Sequence, residues 1–304
     1  MTKKRSISNK LIVSLIATAV ALLLCVAVAG CAPSNYDPQL KDPQLKTPDI
    51  LENGKLKVGV DFGNPPFAGE TSKAAGIDID VASAIAQELG LEVEFVDVGT
   101  SADLALSNKK CDMVMGVSKA VNVEEMWKSD VYIKTACALF AKDEKASVPV
   151  AGGADKFATE MASQSAIACQ SQFSVANIKL NGTLSESFEM LEKGEVKYVA
   201  ADAVIGTYSV NNSDNEAYLI ALLSKVSGYC IGADKTKTNL TSKVSAILGN
   251  LAKNGVLETI EKRWLGKTLD LDKVQMTAGA ANQADAGELE AGVYSQTHPN
   301  NNTP

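Results

Sequence analysis

Between Leu56 and Val117 the apolar residues change period from one segment to the next. Leu56, Val58 and Val60 alternate with other residues, as in a strand. Val81, Ala82, Ile85, Ala86 and Leu89 then recur at helical spacing, with Asp78 placed as an N-cap and Gly90 as the stop. Leu91, Val93 and Phe95 alternate with Glu92 and Glu94, Leu104 and Leu106 mark a short helix, and Asp112–Val117 is a compact apolar run. Strand, helix, strand, helix, strand predicts an α/β layer with parallel pairing, because each helix must carry the chain back before the next strand starts.

A weaker version of the pattern follows. Ala166–Cys169 reads as a short strand. Leu184, Phe188 and Leu191 mark a helix ended by Gly194, and Tyr198–Ala201 reads as a strand ending at Asp202. Tyr229–Ala233 reads as another strand. Val244, Ile247, Leu248 and Leu251 form one helix face before Gly255, and Val256, Leu257, Ile260 and Trp264 form a last helix stopped by Gly266. A chain of 304 residues with 46% hydrophobic and 21% charged residues can bury one large core or two modest ones.

The flanks differ in character. Lys3, Lys4, Arg5 and Lys10 precede an apolar run from Leu11 to Val28, followed by Val28-Ala29-Gly30-Cys31. A basic start, an apolar run and small residues read as a secretory signal over residues 1–30. The cysteine after the small residues resembles a bacterial lipobox, in which a lipid is attached to Cys31. The run is also long enough to span a bilayer uncleaved. Residues 31–49 carry Pro33, Pro38, Pro43 and Pro48 and read as a proline-rich spacer. Residues 267–304 lose periodicity and read as a disordered tail.

Composition excludes several classes. The formal net charge of −7 argues against nucleic acid and against electrostatic docking on anionic lipid, leaving the lipid anchor as the membrane contact. The single histidine, His298, lies in the polar C-terminal tail, so a Ser-His-Asp or Cys-His pair has no base and a His-rich zinc site has no ligands. No metal or cofactor is implied. Cys111, Cys137, Cys169 and Cys230 read as buried free thiols, with a Cys137–Cys230 bridge as the alternative.

Four stretches, in order, resemble the family 3 extracellular solute-binding proteins of polar amino acid ABC importers. They are Val58-Gly59-Val60-Asp61 leading to Pro65-Pro66-Phe67; Gly76-Ile77-Asp78-Ile79-Asp80-Val81 running to Gly90-Leu91; Leu191-Glu192-Lys193-Gly194 running to Ala201-Asp202; and Asn254-Gly255 running to Trp264-Leu265-Gly266. The resemblance implies a two-lobed, type II periplasmic-binding-protein-like α/β fold. Each lobe would be a mostly parallel sheet with flanking helices, and two crossover strands would join them. Lobe one would be residues 50–138 plus 230–266, and lobe two residues 139–229.

The resemblance also implies a ligand site between the lobes. Asp61 would end the first strand as a polar pocket group, although an Asp there equally suits a turn. Asn64 and Phe67 would lie on the first ligand loop, with Phe67 equally suited to a core. Ser118 and Lys119 would follow a lobe-one strand. Gln170, Ser171 and Ser174 would follow a lobe-two strand near a helix start, where free N–H groups favour an anion. Asp202 would hold the ligand's ammonium group, or cap the next helix. The family's carboxylate-clamping arginine has no counterpart, since no arginine occurs between Arg5 and Arg263. Glu124 or Val123 stands in its place, and Lys119 would offer a point charge without the planar fork.

The expected function is therefore that of a monomeric, lipid-anchored binding protein on the outer face of the bacterial cytoplasmic membrane. It would not be an enzyme. It would pass a small amine-bearing solute to an ABC importer permease by hinge closure. The alternatives are a surface sensor or adhesion lipoprotein on the same fold, and a fold-related dehydratase with Glu124 as its acid.

Overall fold

A computed structural model describes residues 41–282 except 71, 121 and 122. The expected signal segment 1–30, lipidation at Cys31, residues 32–40 of the spacer and the tail from 283 onward lie outside the described residues.

The chain runs β1 (Lys55–Val60), β2 (Gly63–Asn64), β3 (Ala68–Glu70), β4 (Ala74–Ala75), α1 (Ile77–Leu89), β5 (Glu92–Asp97), α2 (Ala102–Ser107), β6 (Met113–Ser118), β7 (Met126–Thr135) and β8 (Cys137–Ala141). It continues with β9 (Phe157–Glu160), α3 (Gln164–Gln172), β10 (Ile178–Asn181), α4 (Leu184–Glu192), β11 (Tyr198–Asp202), α5 (Ala203–Asn211), β12 (Tyr218–Leu222) and β13 (Ser227–Asp234). Three further helices, α6 (Thr238–Lys253), α7 (Val256–Leu265) and the short α8 (Ala278–Ala281), complete it.

Two five-stranded sheets result, in the orders β5-β1-β6-β13-β7 and β10-β9-β11-β8-β12, with β2, β3 and β4 in a small third sheet. In the first lobe β1 pairs in parallel with β5 and β6, while β13 runs antiparallel to both β6 and β7. The second lobe repeats the scheme. There β9 pairs in parallel with β10 and β11, and β8 runs antiparallel to β11 and β12. The antiparallel pairs arise because β7 leads directly into β8, and β12 returns through four residues to β13.

Each sheet is covered on both faces. In lobe one, α1, α6 and α7 bury Ile77, Ile85, Leu89, Val244, Leu248, Ile260 and Leu265 against Leu56, Val58 and Val60. The other face is closed by α2 through Ala105, with Cys111, Val114, Val117 and Cys230. In lobe two, α4 packs Phe188 and Leu191 against Phe140 and Val199. Cys169 and Phe173 pack against Phe157 and Tyr198 on the opposite face. The helix α4 starts with a full capping box, in which Thr183 accepts from the Glu186 N–H and Glu186 accepts from the Thr183 N–H.

Several local expectations are corrected. Ala166–Cys169 is not a strand but part of α3, which Ser163 caps by accepting the Ala166 N–H at 3.0 Å. Small residues such as Ala, Ser and Cys favour neither period strongly, and the cap decides. The lobe-two strand is instead Phe157–Glu160. The N-cap of α1 is Gly76, and Asp78 lies buried inside the first turn. The lobes divide at Ala136 and between Leu222 and Ser227. Cys137 and Ala138 thus pair in the second sheet and Ser227–Tyr229 in the first, against the expected boundaries of 138/139 and 229/230.

Residues 41–49 do not extend as a spacer. Leu45 is buried in the lobe-one core, the Gln44 N–H donates to the Leu89 carbonyl, and Lys41 pairs with Glu88 at 2.5 Å. Residues 267–282 are likewise packed rather than tail-like: Leu271 and Ala280 are buried. The four described cysteines are free. Cys137 and Cys230 belong to different lobe cores, Cys137 packing with the lobe-two cluster and Cys230 in the lobe-one cluster. Burial pushes all four thiols up to about 11 or 12.

Candidate functional site

The register of the two sheets places the ends of their parallel strands at the crossovers. Ser118, the last residue of β6, pairs with Tyr229, and Ser227 pairs with Thr135 at the end of β7. Asp202, the last residue of β11, pairs with Cys137 at the start of β8. Strand ends at a change of chain direction are where open α/β sheets place ligands.

Asp202 is the most heavily hydrogen-bonded carboxyl there. Its Oδ1 accepts the N–H groups of Val204 (2.9 Å) and Ile205 (3.1 Å), so it caps α5. Its Oδ2 accepts the Thr135 hydroxyl at 2.8 Å. Burial raises this carboxyl, and the hydrogen bonds from Ile205, Thr135, Val204 and the Tyr229 hydroxyl pull it back down. The capping role and a carboxyl facing the crossovers therefore coexist in one side chain.

Tyr229 links both lobes at this point. Its ring meets Phe67 edge-on, centroids 4.6 Å apart, while its hydroxyl reaches Asp202. Phe67 is 1% exposed and belongs to the core. It stands behind the Tyr229 ring, and its enclosure fits the core alternative for this residue of the first loop. The loop holding it is fixed by Gly76: a Cβ there would lie 2.1 Å from the Phe67 carbonyl oxygen, at a φ of 150°.

Asp61 follows β1 and organises the next turn, accepting the Gly63 N–H at 3.0 Å. Asn64 accepts the Phe67 N–H through its carbonyl at 2.9 Å. Behind them lies a pair that sequence reasoning passed over. The Tyr132 hydroxyl donates to Asp78 Oδ1 at 2.5 Å and accepts the Gly116 N–H at 3.0 Å. Burial pushes the Asp78 carboxyl up to about 7; the Tyr132 hydrogen bond lowers it and the Asp61 charge raises it.

Lys119 does not lie unengaged: its Nζ donates to the Ser129 carbonyl at 2.7 Å. Lys128, unmarked in the sequence, donates to the carbonyls of Ser118 (3.1 Å) and Lys119 (3.3 Å). Burial lowers the Lys128 ammonium. Glu124 is exposed, and its carbonyl accepts from Lys235.

Gln170, Ser171 and Ser174 are corrected in place. All three are exposed; Gln170 and Ser171 lie in the last turn of α3, and Ser174 follows it. Ser171 donates to the Ala168 carbonyl. The residues at the helix start are Ser163, Gln164 and Ser165, because the strand before it is Phe157–Glu160 and residues 164–172 are already helix. Among the described residues no group of three or more His, Cys, Asp and Glu could hold a metal ion, and no helix is long and apolar enough to cross a membrane.

The sequence matches the bacterial extracellular solute-binding proteins, family 3, over residues 56–267. The chain belongs to this family. This solute-binding protein is 25% identical over 261 residues to the L-cystine-binding protein TcyA of Bacillus subtilis (strain 168), covering 82% of this chain and 95% of that protein. Two structures share its fold at a TM-score of 0.60. One is an ancestral cationic amino acid solute-binding protein (22% identity, 70% of this chain and 96% of that chain). The other is the L-cystine solute receptor of Neisseria gonorrhoeae in its unliganded open conformation (19% identity, 71% and 94%).

The solute-binding protein carries two packed segments outside the family match, residues 41–55 and 268–282. Within the match, a sequence signal for Tyr132, Thr135 and Tyr229 existed only as strand alternation. Nothing local distinguishes a tyrosine that points at a carboxyl from one that fills a core.

Proposed function

We propose that this solute-binding protein captures a small, amine-bearing polar solute, an amino acid or close analogue, between its lobes. It acts without chemical conversion of the solute, as a monomer, and passes it to an ABC importer permease as the lobes close about the crossovers. Lipid on Cys31 holds it on the outer face of the cytoplasmic membrane.

The observation that carries this reading is Asp202. It is a half-buried carboxyl at the end of β11, facing the crossovers, with two hydroxyl donors, Thr135 and Tyr229, that can turn away in favour of an ammonium group. No guanidinium lies between Arg5 and Arg263 to clamp a carboxylate. Any anionic group of the solute would therefore meet lysine or backbone N–H donors. L-cystine, named for the Bacillus subtilis relative and the Neisseria gonorrhoeae receptor, is the first solute to test.

Calorimetric titration with L-cystine and a panel of amino acids and amines tests the reading. Asp202→Asn keeps an acceptor for the α5 cap and removes the charge. It should weaken the best solute by roughly 10- to 100-fold, the size of one charged hydrogen bond of about 1.5–3 kcal/mol. Equal affinity in the two proteins would overturn the role of Asp202, and no binding across the panel would overturn the ligand class.

A further inference from the structure

We propose that residues 266–277 are a strap, a third covalent connection between the lobes that limits how far they swing apart. The inference rests on the two-lobed binding reading for its purpose and on packing for its existence.

The strap leaves lobe one at α7, where Leu265 is fully buried. The Leu269 N–H donates to Glu261 of α7 at 2.8 Å, and the Leu269 side chain packs against the core clusters of both lobes. Two residues later Leu271 is 2% exposed within the lobe-two core, with Val274 packed beside it. Asp272 pairs with Lys134 of β7 at 2.5 Å.

The segment then runs along the edge strand β12. The Leu222 N–H donates to the Gln275 carbonyl and the Thr277 N–H to the Leu222 carbonyl, both at 2.9 Å. Thr277 also donates to Gln172 Oε1 at 2.5 Å, and Gln172 donates onward to the Leu223 carbonyl at 2.7 Å. Lobe two thus holds the strap by buried apolar side chains and by a hydrogen-bonded edge.

Only a short length of chain joins the buried anchors Leu265 and Leu271. Six residue steps span at most about 20 Å when fully extended. A hinge of two adjacent crossovers bends freely. A third short connection beside them must stretch when the lobes part, and its anchors resist. On the same side Asn211, at the end of α5, donates to the Leu265 carbonyl at 2.5 Å, and Val204 of α5 lies in the lobe-one core.

The test adds slack without removing packing. Eight Gly/Ser residues are inserted between Leu269 and Asp270 of the full chain, at a small loop-closure cost. Spin labels on unnatural residues replace Leu104 in lobe one and Val150 in lobe two, both exposed. Pulsed electron spin resonance reads the interlobe distance with no solute present. The slackened chain should show a distribution broadened toward longer distances, and identical distributions would overturn the strap. If the inserted chain has lost its circular dichroism signature, Asp272→Lys decides in its place. It sets a like charge against Lys134 and should broaden the distribution in the same direction, and no change would overturn the proposal. Because no solute is used, failure to find a ligand leaves the result standing. Tight binding with unchanged distances removes the strap alone.

Discussion

The Tyr132 hydroxyl, on a crossover strand, donates to the buried Asp78 carboxyl in the first turn of α1 at 2.5 Å. Its oxygen simultaneously takes the Gly116 N–H, so one hydroxyl ties β7, α1 and the end of β6 together. Asp78 is 3% exposed, and burial pushes its carboxyl from 3.8 up to about 7. The folded protein therefore holds a proton that the unfolded chain releases between those two values. With more protons bound in the native state, stability falls as pH rises from about 4 to 7 and levels off above. Asp78→Asn should abolish that part of the slope and stabilise the protein at pH 8 by up to about 4 kcal/mol, the upper limit set by the shift at about 1.4 kcal/mol per unit. Urea melts of both proteins at pH 5 and pH 8 read the difference; an unchanged pH slope in the variant would sink the assignment.

Tyr132→Phe keeps the ring and removes the bridge. The Gly116 N–H and the Asp78 carboxyl would each lose a partner in a buried setting, which costs about 1–3 kcal/mol per group. The carboxyl should also titrate still higher, because the Tyr132 hydrogen bond lowers it now. Thermal melts across pH 6–9 check both effects, and a variant as stable as the parent at pH 8 would contradict them.

Phe67 and Tyr229 meet edge-on at 4.6 Å with Phe67 fully enclosed. Phe67→Ala should cost about 3–5 kcal/mol, from lost burial and the cavity left behind. Tyr229→Phe keeps this contact and removes only the hydroxyl that reaches Asp202. That milder variant should lose about 1 kcal/mol, the size of one ordinary hydrogen bond. Chemical denaturation separates the two, and equal losses would mean the ring contact contributes little.

Gly90 closes α1 at a φ of 70°, and a Cβ there would sit 2.2 Å from the Lys41 carbonyl oxygen. Gly90→Ala should therefore displace residues 41–45 from lobe one as well as strain the helix end. Hydrogen exchange at the Gln44 amide, which donates to the Leu89 carbonyl at 2.9 Å, should accelerate markedly in the variant. Protection equal to that of the parent would show that this segment holds without the close approach.

Much of the fold was legible because its signals are local. The alternation of Leu56, Val58 and Val60 and the helical spacing of Val81, Ile85 and Leu89 each lie within one element, and β1 and α1 form there. Leu184, Phe188 and Leu191 likewise mark α4 without help from elsewhere. Ala166–Cys169 failed as a strand because small residues leave the period undecided, and the cap from Ser163 settles it. Gln170, Ser171 and Ser174 consequently lie at the far end of α3 and not at its start.

The sequence by itself determined the α/β alternation, the strand that ends at Asp202 and the absence of an arginine clamp between Arg5 and Arg263. Only the tertiary structure decided that Asp202 caps α5 while taking hydroxyls from Thr135 and Tyr229, that Tyr132 seeks out Asp78, and that residues 41–49 and 267–282 pack instead of trailing. The physical reason is range. Periodicity and caps act over a few residues, whereas Tyr132 and Asp78 stand 54 positions apart and Thr135 and Asp202 67, and a chain reveals such partners only once its sheets have brought them together.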